Sequence, residues 1–386
     1  MARHLLVTND FPPKTGGIQV YLHELWCRLD AGRATVLTAS SHEDAVNFDS
    51  ESELVIERVA ASTLFLPTPK ALAAIEEAIE RHQPDLVLLD PAWPLGLLGP
   101  RLSRPYGVIL HGAEVTVPGR LPLVASSLRY VLRRASVAVC AGTYPENEAR
   151  RVAAEYMPPV VQVPPGVDTT RFRPLDSARR DRVRTSMELP EDGLLVSSYS
   201  RLVPRKGMDT LLRASARLKG EFPSLHVAIG GAGRDRARLE KLARKIGAPV
   251  TFLGRVPDDQ LSDWLGASDL MVMDCRSRWL GLEQEGFGIV FVEAAATGVA
   301  QIAGRSGGSH EAVLDGVTGT VVEHSRSVRE LSDAIRAMLS DHELRREYGR
   351  NSRELAVSRF EWDTLARRLG EGLQPFDHFE GENQLL

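Results

Sequence analysis

Short apolar runs rich in valine, isoleucine and leucine recur along the chain, each followed by a longer amphipathic stretch. In the first half the runs are HLLVTN (4–9), ATVLTA (34–39), LVIERV (54–59), DLVLLD (85–90), YGVILHG (106–112), SVAVCAG (136–142) and VVQVP (160–164). Between them, GIQVYLHELWCRL (17–29) and KALAAIEEAIERH (70–82) repeat apolar residues near a 3.6 period, the signature of helices with one buried face. Runs that are apolar at consecutive positions predict strands covered on both faces, hence a parallel sheet between helices. A second series follows: LLVSSYS (194–200), LHVAIGG (225–231), VTFLG (250–254), LMVMD (270–274), VAQIAG (299–304) and GTVVE (319–323). The pattern predicts an α/β protein of two Rossmann-like domains with a cleft between them. They are expected over 1–165 and 175–360, with the Pro/Gly-rich VPPGVDTTRFRPL (163–175) as linker. A last helical stretch near 341–372 suggests that the segment 361–386 crosses back to the first domain. Its tail, FDHFEGENQLL, is expected to fray.

Composition narrows the function classes. A chain of 386 residues with a net charge of −4 suggests two domains and advertises no nucleic-acid partner. Only three cysteines occur, Cys27, Cys140 and Cys275, without metal-ligand spacing; they read as reduced thiols in a cytosolic setting. The first apolar run is too short for a signal peptide. The longest apolar stretch, LVLLDPAWPLGLLGP (86–100), is interrupted by prolines and an aspartate. Any membrane association is therefore expected to be peripheral.

Open α/β sheets bind ligands beyond the carboxyl ends of their strands, and the candidate residues fall there. In EQEGFGIVFVEAAATG (283–298), Glu285 and Glu293 stand eight residues apart. Gly286 and Gly288 permit close backbone approach around Phe287. A helix starting near Gly288 would aim the N–H groups of Ile289 and Val290 at an anion. Glu293 would then be a carboxylate in an apolar helix, in need of partners. A ribose diol would supply two; a neighbouring backbone or an arginine is the alternative. SRLVPRKG (200–207) places Arg201 at a strand end and Lys206 at a predicted helix start, which suits phosphate, or else a solvated surface pair. Gly16 and Gly17, between the first strand and first helix, form either a diphosphate cradle or a simple turn. The absence of G-x-G-x-x-G after that strand counts against a dehydrogenase. His111 ends a strand, where it could polarise a substrate oxygen or serve the fold. In LPLVASSLRYVLRRAS (121–136), Arg129, Arg133 and Arg134 lie opposite Leu128, Val131 and Leu132. That is a basic amphipathic helix fit for an anionic membrane surface, or an ordinary solvated face.

Taken together, these stretches resemble the retaining glycosyltransferases of the GT-B fold, family 4. The E-x7-E pair at Glu285 and Glu293, SRL…RKG at Arg201 and Lys206, FLGRV (252–256) and the glycine pair at 16–17 match in order. Within that family the chain is similar to the actinobacterial phosphatidylinositol mannoside mannosyltransferases that use GDP-mannose. The likeness is carried by LLVTNDFPPKTGGIQVYL (5–22), SRLVPRKGMDTLL (200–212), RSRWLGLEQEGFGIVFVEA (276–294) and AGRSGGSHEAVLDGVTG (303–319). The resemblance implies that Arg201 and Lys206 bind the donor diphosphate, and that Glu285 with the N–H groups after it holds the sugar and distal phosphate. It further implies that Glu293 takes the ribose hydroxyls, that the backbone at Arg255 and Val256 reads the guanine edge, that Gly16 and Gly17 close over the diphosphate, and that His111 faces the transferred sugar. It implies a glycolipid acceptor, retention of configuration and no cofactor. No DxD occurs in the donor region, in keeping with a reaction that needs no metal. GVAQ (298–301), GGSHE (307–311), TYPENEAR (143–150) and the segment after His111 depart from the family's pattern; the two segments in the first domain leave the acceptor open.

Three rival readings remain at this level. The donor could be a UDP-sugar with another acceptor, or the chain could be an NDP-sugar 2-epimerase, also built on two Rossmann halves. A non-catalytic sugar-nucleotide binding module is the third.

Overall fold

In this computed structural model residues 2–30, 32–40, 42–60, 63–64, 66–187 and 193–377 are described. The chain forms two compact units: residues up to Pro165 together with those from Trp362 onward, and Gly166–Glu361.

The first unit runs β1 (His4–Thr8), α1 (Gly17–Trp26), β2 (Ala34–Ser40), α2 (Ala45–Glu51), β3 (Val55–Ala60), α3 (Pro69–His82), β4 (Leu86–Asp90), β5 (Tyr106–Leu110), α4 (Ala113–Gly119), α5 (Pro122–Arg134), β6 (Val137–Cys140), α6 (Thr143–Ala153) and β7 (Val160–Gln162). The strands pair in parallel in the order β3-β2-β1-β4-β5-β6-β7. Successive side chains of a strand point to opposite faces, so each apolar run feeds two cores. Leu5, Val7, Leu89 and Val108 pack with Ile75, Leu128 and Leu132. Leu6, Leu88 and Ile109 pack with Leu22, Leu25 and Trp26. Local signals agree with this burial: α3 starts on Pro69, and the preceding Thr68 side chain accepts a hydrogen bond from the Ala71 N–H.

The second unit continues with α7 (Ser177–Ser186), β8 (Leu194–Tyr199), α8 (Met208–Leu218), β9 (Leu225–Gly230), α9 (Arg236–Ile246), β10 (Val250–Gly254), α10 (Asp258–Gly266), β11 (Leu270–Met273), α11 (Ile289–Ala296), β12 (Gln301–Gly304), β13 (Gly319–Val322), α12 (Val328–Ser340) and α13 (His342–Arg359). Its parallel sheet has the order β10-β9-β8-β11-β12-β13. The stretch 163–175 is not a free linker. Val167 and Phe172 are buried in the second unit's core, and the Val167 N–H donates to the Phe360 carbonyl at 2.7 Å. Apolar side chains inside a Pro/Gly-rich stretch drew it into the domain.

The stretch near 341–372 is two helices rather than one. α13 stops at Arg359, and α14 (Trp362–Leu373) follows after Phe360 and Glu361. α14 belongs to the first unit, where Trp362, Leu365, Ala366, Leu369 and Leu373 pack with Leu22, Trp26 and Val163. The predicted fraying of the tail falls largely on 378–386, outside the described residues. Among the described residues no helix is long and apolar enough to cross a membrane.

Because Trp362 is buried against Tyr21, Trp362→Ala should cost roughly 3–5 kcal/mol. The expected readout is a lower-temperature transition for the first unit in calorimetry, with the second unit's transition little changed.

Candidate functional site

In the second unit the strand order reverses between β8 and β11, and the charged residues gather beyond the ends of these two strands. Lys206 does not begin a helix. It closes a 3-10 turn, Pro204–Lys206, and α8 starts two residues later, after Gly207. The turn carries Lys206 inward, to 7% exposure. Its Nζ lies 2.7 Å from Oε2 of Glu285 and 3.5 Å from the Met273 sulfur. The Arg205 guanidinium pairs with the same Glu285 oxygen. Burial pushes the Glu285 carboxyl up, but Lys206 and Arg205 outweigh it and hold the group below the usual glutamate range. The other oxygen, Oε1, has no hydrogen-bond partner among the described residues. Two cations therefore share one carboxylate, which leaves a local excess of positive charge. Arg205 was not singled out from the sequence; its signal was the paired cation in PRKG. Arg201 is exposed, without an ion-pair partner among the described residues.

Glu285 leads into the start of α11. Gly288 caps this helix in the left-handed region, at φ 85° and ψ 76°, with no side-chain cap; a residue with a Cβ would be strained there. The Phe291 N–H bonds back to the Gly288 carbonyl, while those of Ile289 and Val290 have no partner among the described residues. Phe287 is buried against Phe360 at 5.9 Å between ring centroids, so it offers a ligand only its main chain. The segment is braced from behind by the GRSGGSHE loop. The Gly308 N–H donates to the Glu285 carbonyl at 3.0 Å, and a Cβ on Gly308 would stand 2.1 Å from the Gly286 oxygen. The Gln284 side chain accepts from the Gly307 N–H at 3.1 Å and donates to the Gly281 carbonyl at 2.9 Å. Beyond β10, Arg255 is exposed and Val256 half-buried.

Glu293 sits on α11 between the buried residues Val292 and Ala294. No hydrogen bond or ion pair reaches its carboxylate among the described residues. Burial pushes it up to about 7; Arg171 offsets this and Asp258 adds to it.

In the first unit three neighbouring strand ends converge on His111. Its Nε2 lies 2.8 Å from Oδ1 of Asp90, the last residue of β4. The other Asp90 oxygen accepts from the Thr8 hydroxyl, at the end of β1, at 2.6 Å. Burial pulls the imidazole's pKa down, but the charge and hydrogen bond of Asp90 outweigh it and hold it above the ordinary histidine value. Glu114 accepts from the N–H groups of His111 and Gly112 at 2.5 and 3.0 Å. Asp90 was missed in the sequence, although DLVLLD ends its apolar run on an acid just as YGVILH ends on a base. Gly16 caps α1 in an extended conformation with no side-chain cap. The glycine pair is therefore a bare helix start, not a left-handed loop.

The basic residues of α5 are not simply solvated. Arg129 donates to the Val152 carbonyl at 2.8 Å. Arg133 stacks over Tyr156 and Arg134 over Tyr130, at 4.3 and 4.1 Å from the ring centroids. Leu121 and Leu123 are exposed at the start of the helix.

Comparison with known proteins fits this arrangement. Residues 15–171 match the family profile "Glycosyltransferase Family 4", and residues 179–355 match "Glycosyl transferases group 1". The GDP-mannose-dependent alpha-(1-6)-phosphatidylinositol monomannoside mannosyltransferase of Mycobacterium tuberculosis is 39% identical over 389 residues, 98% of this chain and 99% of that protein. The GDP-mannose-dependent monoacylated alpha-(1-6)-phosphatidylinositol monomannoside mannosyltransferase of Corynebacterium glutamicum is 33% identical, over 96% of this chain and 97% of the relative. Among solved structures, Anabaena Alr3699/HepE in complex with UDP superposes with a TM-score of 0.81 at 20% identity, covering 97% of this chain and 100% of that one. The fold is GT-B, and the chain belongs to the family 4, group 1 glycosyltransferases.

A raised carboxyl pKa costs stability as pH climbs from the unfolded value, near 4.5, through the folded one, near 7. Glu293→Gln should therefore be the more stable form above pH 7 by about 1–3 kcal/mol. The advantage should vanish below pH 4.5, as read from denaturant midpoints across pH.

Proposed function

We propose that this glycosyltransferase moves mannose from GDP-mannose to a glycolipid acceptor built on an inositol phosphate, phosphatidylinositol monomannoside being the favoured one. The reaction proceeds with retention and without a metal. The observation that carries this reading is the pair of inward-turned cations, Arg205 and Lys206, on one oxygen of Glu285. Departure of GDP from the anomeric carbon builds negative charge on phosphate. A local excess of positive charge, fixed before the reaction, stabilises that charge without reorganisation. The similar proteins named above, matched over nearly their whole lengths, are described by the same donor and by an acceptor of this type.

The geometry supports the following assignment of roles. Lys206, Arg205 and Arg201, with the uncapped N–H groups of Ile289 and Val290, take the diphosphate. Glu285 has Oε1 left for a sugar hydroxyl, with Gly286 and Phe287 lending only backbone. Glu293, a carboxylate without a partner, takes the ribose diol, and the backbone at Arg255 and Val256 reads the base. In the first unit, His111 is oriented by Asp90 to donate to a sugar oxygen, and the bare start of α1 at Gly16 and Gly17 offers N–H groups to phosphate. The leaving phosphate oxygen accepts the acceptor's proton as the new bond forms on the same face. The α5 surface, with Arg129, Arg133 and Arg134 beside exposed Leu121 and Leu123, rests on anionic lipid at the inner membrane face.

A second reading is favoured by one finding. The D-inositol 3-phosphate glycosyltransferase of Acidothermus cellulolyticus is 30% identical over 90% of this chain and 83% of the relative. A different donor with a water-soluble inositol phosphate would fit the same site. Calorimetry should show GDP binding at least tenfold tighter than UDP, and labelled GDP-mannose incubated with a lipid extract should yield a labelled glycolipid. Tighter UDP binding, or label only in water-soluble product, would favour the second reading. Lys206→Ala should lower turnover at least tenfold with the thermal midpoint of the second unit nearly unchanged; near-normal turnover would remove Lys206 from the mechanism.

A further inference from the structure

The loop that delivers Glu285 carries an apolar tip that the donor site does not use. Trp279, Leu280 and Leu282 are 60%, 99% and 36% exposed. Trp279 and Leu280 both hold left-handed backbone, at φ 49° and 53°. That conformation is costly for bulky side chains and persists only where the surroundings impose it. The surroundings here are explicit. Arg278 and Glu283 pair as an antiparallel bridge, exchanging backbone hydrogen bonds at 2.9 and 3.2 Å. Their side chains form an ion pair at 2.7 Å. The Gly281 N–H bonds to the Arg278 carbonyl, and Leu282 to Trp279. Gln284 ties the Gly281 carbonyl to Gly307. The tip is thus a closed turn, presented rigidly.

Its charge pattern selects the occupant. The four residues Trp279–Leu282 carry no charge, while the neck is an Arg–Glu pair with the Arg278 guanidinium stacked on the Trp279 ring at 4.7 Å. An apolar tip on a polar, charged neck matches the gradient across a bilayer interface. Indole rings favour that zone, and arginine keeps its charge in the headgroups while its stem lies on apolar surface. The area argues the same way. Three partly exposed side chains offer on the order of 400 Å², well under the ~800 Å² per partner that a stable protein interface needs.

We propose that the Trp279–Leu282 turn is a lipid-inserting wedge that anchors the donor-binding unit to the membrane interface. It rests on the reading that the acceptor is a lipid. Through the short connection from Leu282 to Glu285, docking of the wedge also fixes where the donor site stands above the membrane.

The test uses the full chain with vesicles of phosphatidylcholine alone and of phosphatidylcholine mixed equally with phosphatidylinositol, without nucleotide. With lipids brominated on their acyl chains, wild-type tryptophan emission should be quenched, and most of that quenching should disappear in Trp279→Phe, which keeps an aromatic ring. The double variant Trp279→Ser/Leu280→Ser should partition into both vesicle types about tenfold less. Its affinity for GDP and its transfer to a deacylated, water-soluble acceptor should stay unchanged. Quenching that persists in Trp279→Phe, or partitioning equal to wild type in the double variant, overturns the wedge. So does loss of GDP affinity in the double variant, which would make the turn a support of the donor site, or a wild-type dimer that the double variant abolishes. Failure of the wild type to bind GDP would count against the donor reading alone, because vesicle binding is read without nucleotide.

Discussion

Two cations are turned inward onto a single carboxylate oxygen, and most of the second unit's local geometry serves to keep them there. Charges withdrawn from water are expensive, and a shared partner does not repay both. The arrangement is tolerable because the chain removes every freedom to relax. The 3-10 turn places Arg205 and Lys206 together. The braced segment 284–286 holds Glu285 against them. Gly307 and Gly308 come so close that no side chain could stand in their place. On α11 the imbalance is reversed: Glu293 has no ion-pair or hydrogen-bond partner among the described residues, and burial, only partly offset by Arg171, pushes its pKa up to about 7. One unit therefore carries an excess of positive charge and a carboxylate without a partner among the described residues; on the proposed reading, a single molecule with an anionic end and a diol would answer both.

The first unit solves a different problem with less charge. Thr8, Asp90 and His111 come from three strands that are neighbours in the sheet, and each sits at or just past the carboxyl end of its strand. The sheet's topology, not a long-range loop, brings them together. Asp90 fixes which imidazole nitrogen is engaged, so the ring's remaining nitrogen has a settled orientation. The imidazole is thereby held in place at the strand ends.

Much of the architecture was legible because buried parallel strands leave a strong trace. Runs such as LVLL and VAVC are apolar at every position, and each became part of a strand within a residue or two of its expected bounds. The cap at Gly288 and the burial of α11 were also legible, since a helix without a polar face has nowhere else to go. What escaped the sequence was pairing across distance. Nothing in DLVLLD says that its last aspartate meets a histidine twenty-one residues on. Nor does PRKG reveal that the arginine, and not only the lysine, turns toward Glu285. Lys206 was expected at a helix start because Gly207 reads equally well as an interior residue or a cap. The stretch 163–175 looked like a tether because proline and glycine dominate it, yet Val167 and Phe172 had enough apolar surface to be claimed by a core.

The return of α14 has a consequence for how the chain matures. The second unit is contiguous, so it can fold as soon as its last strand and helices have emerged from the ribosome. The first unit is made first but finished last. Its core lacks Trp362, Leu365 and Leu369 until more than three hundred residues have been synthesised. During that interval the faces of Leu22, Trp26 and Val163 stand open to water or to a chaperone. A released chain that ends before residue 362 should therefore present a sticky, half-built first unit and a completed second one.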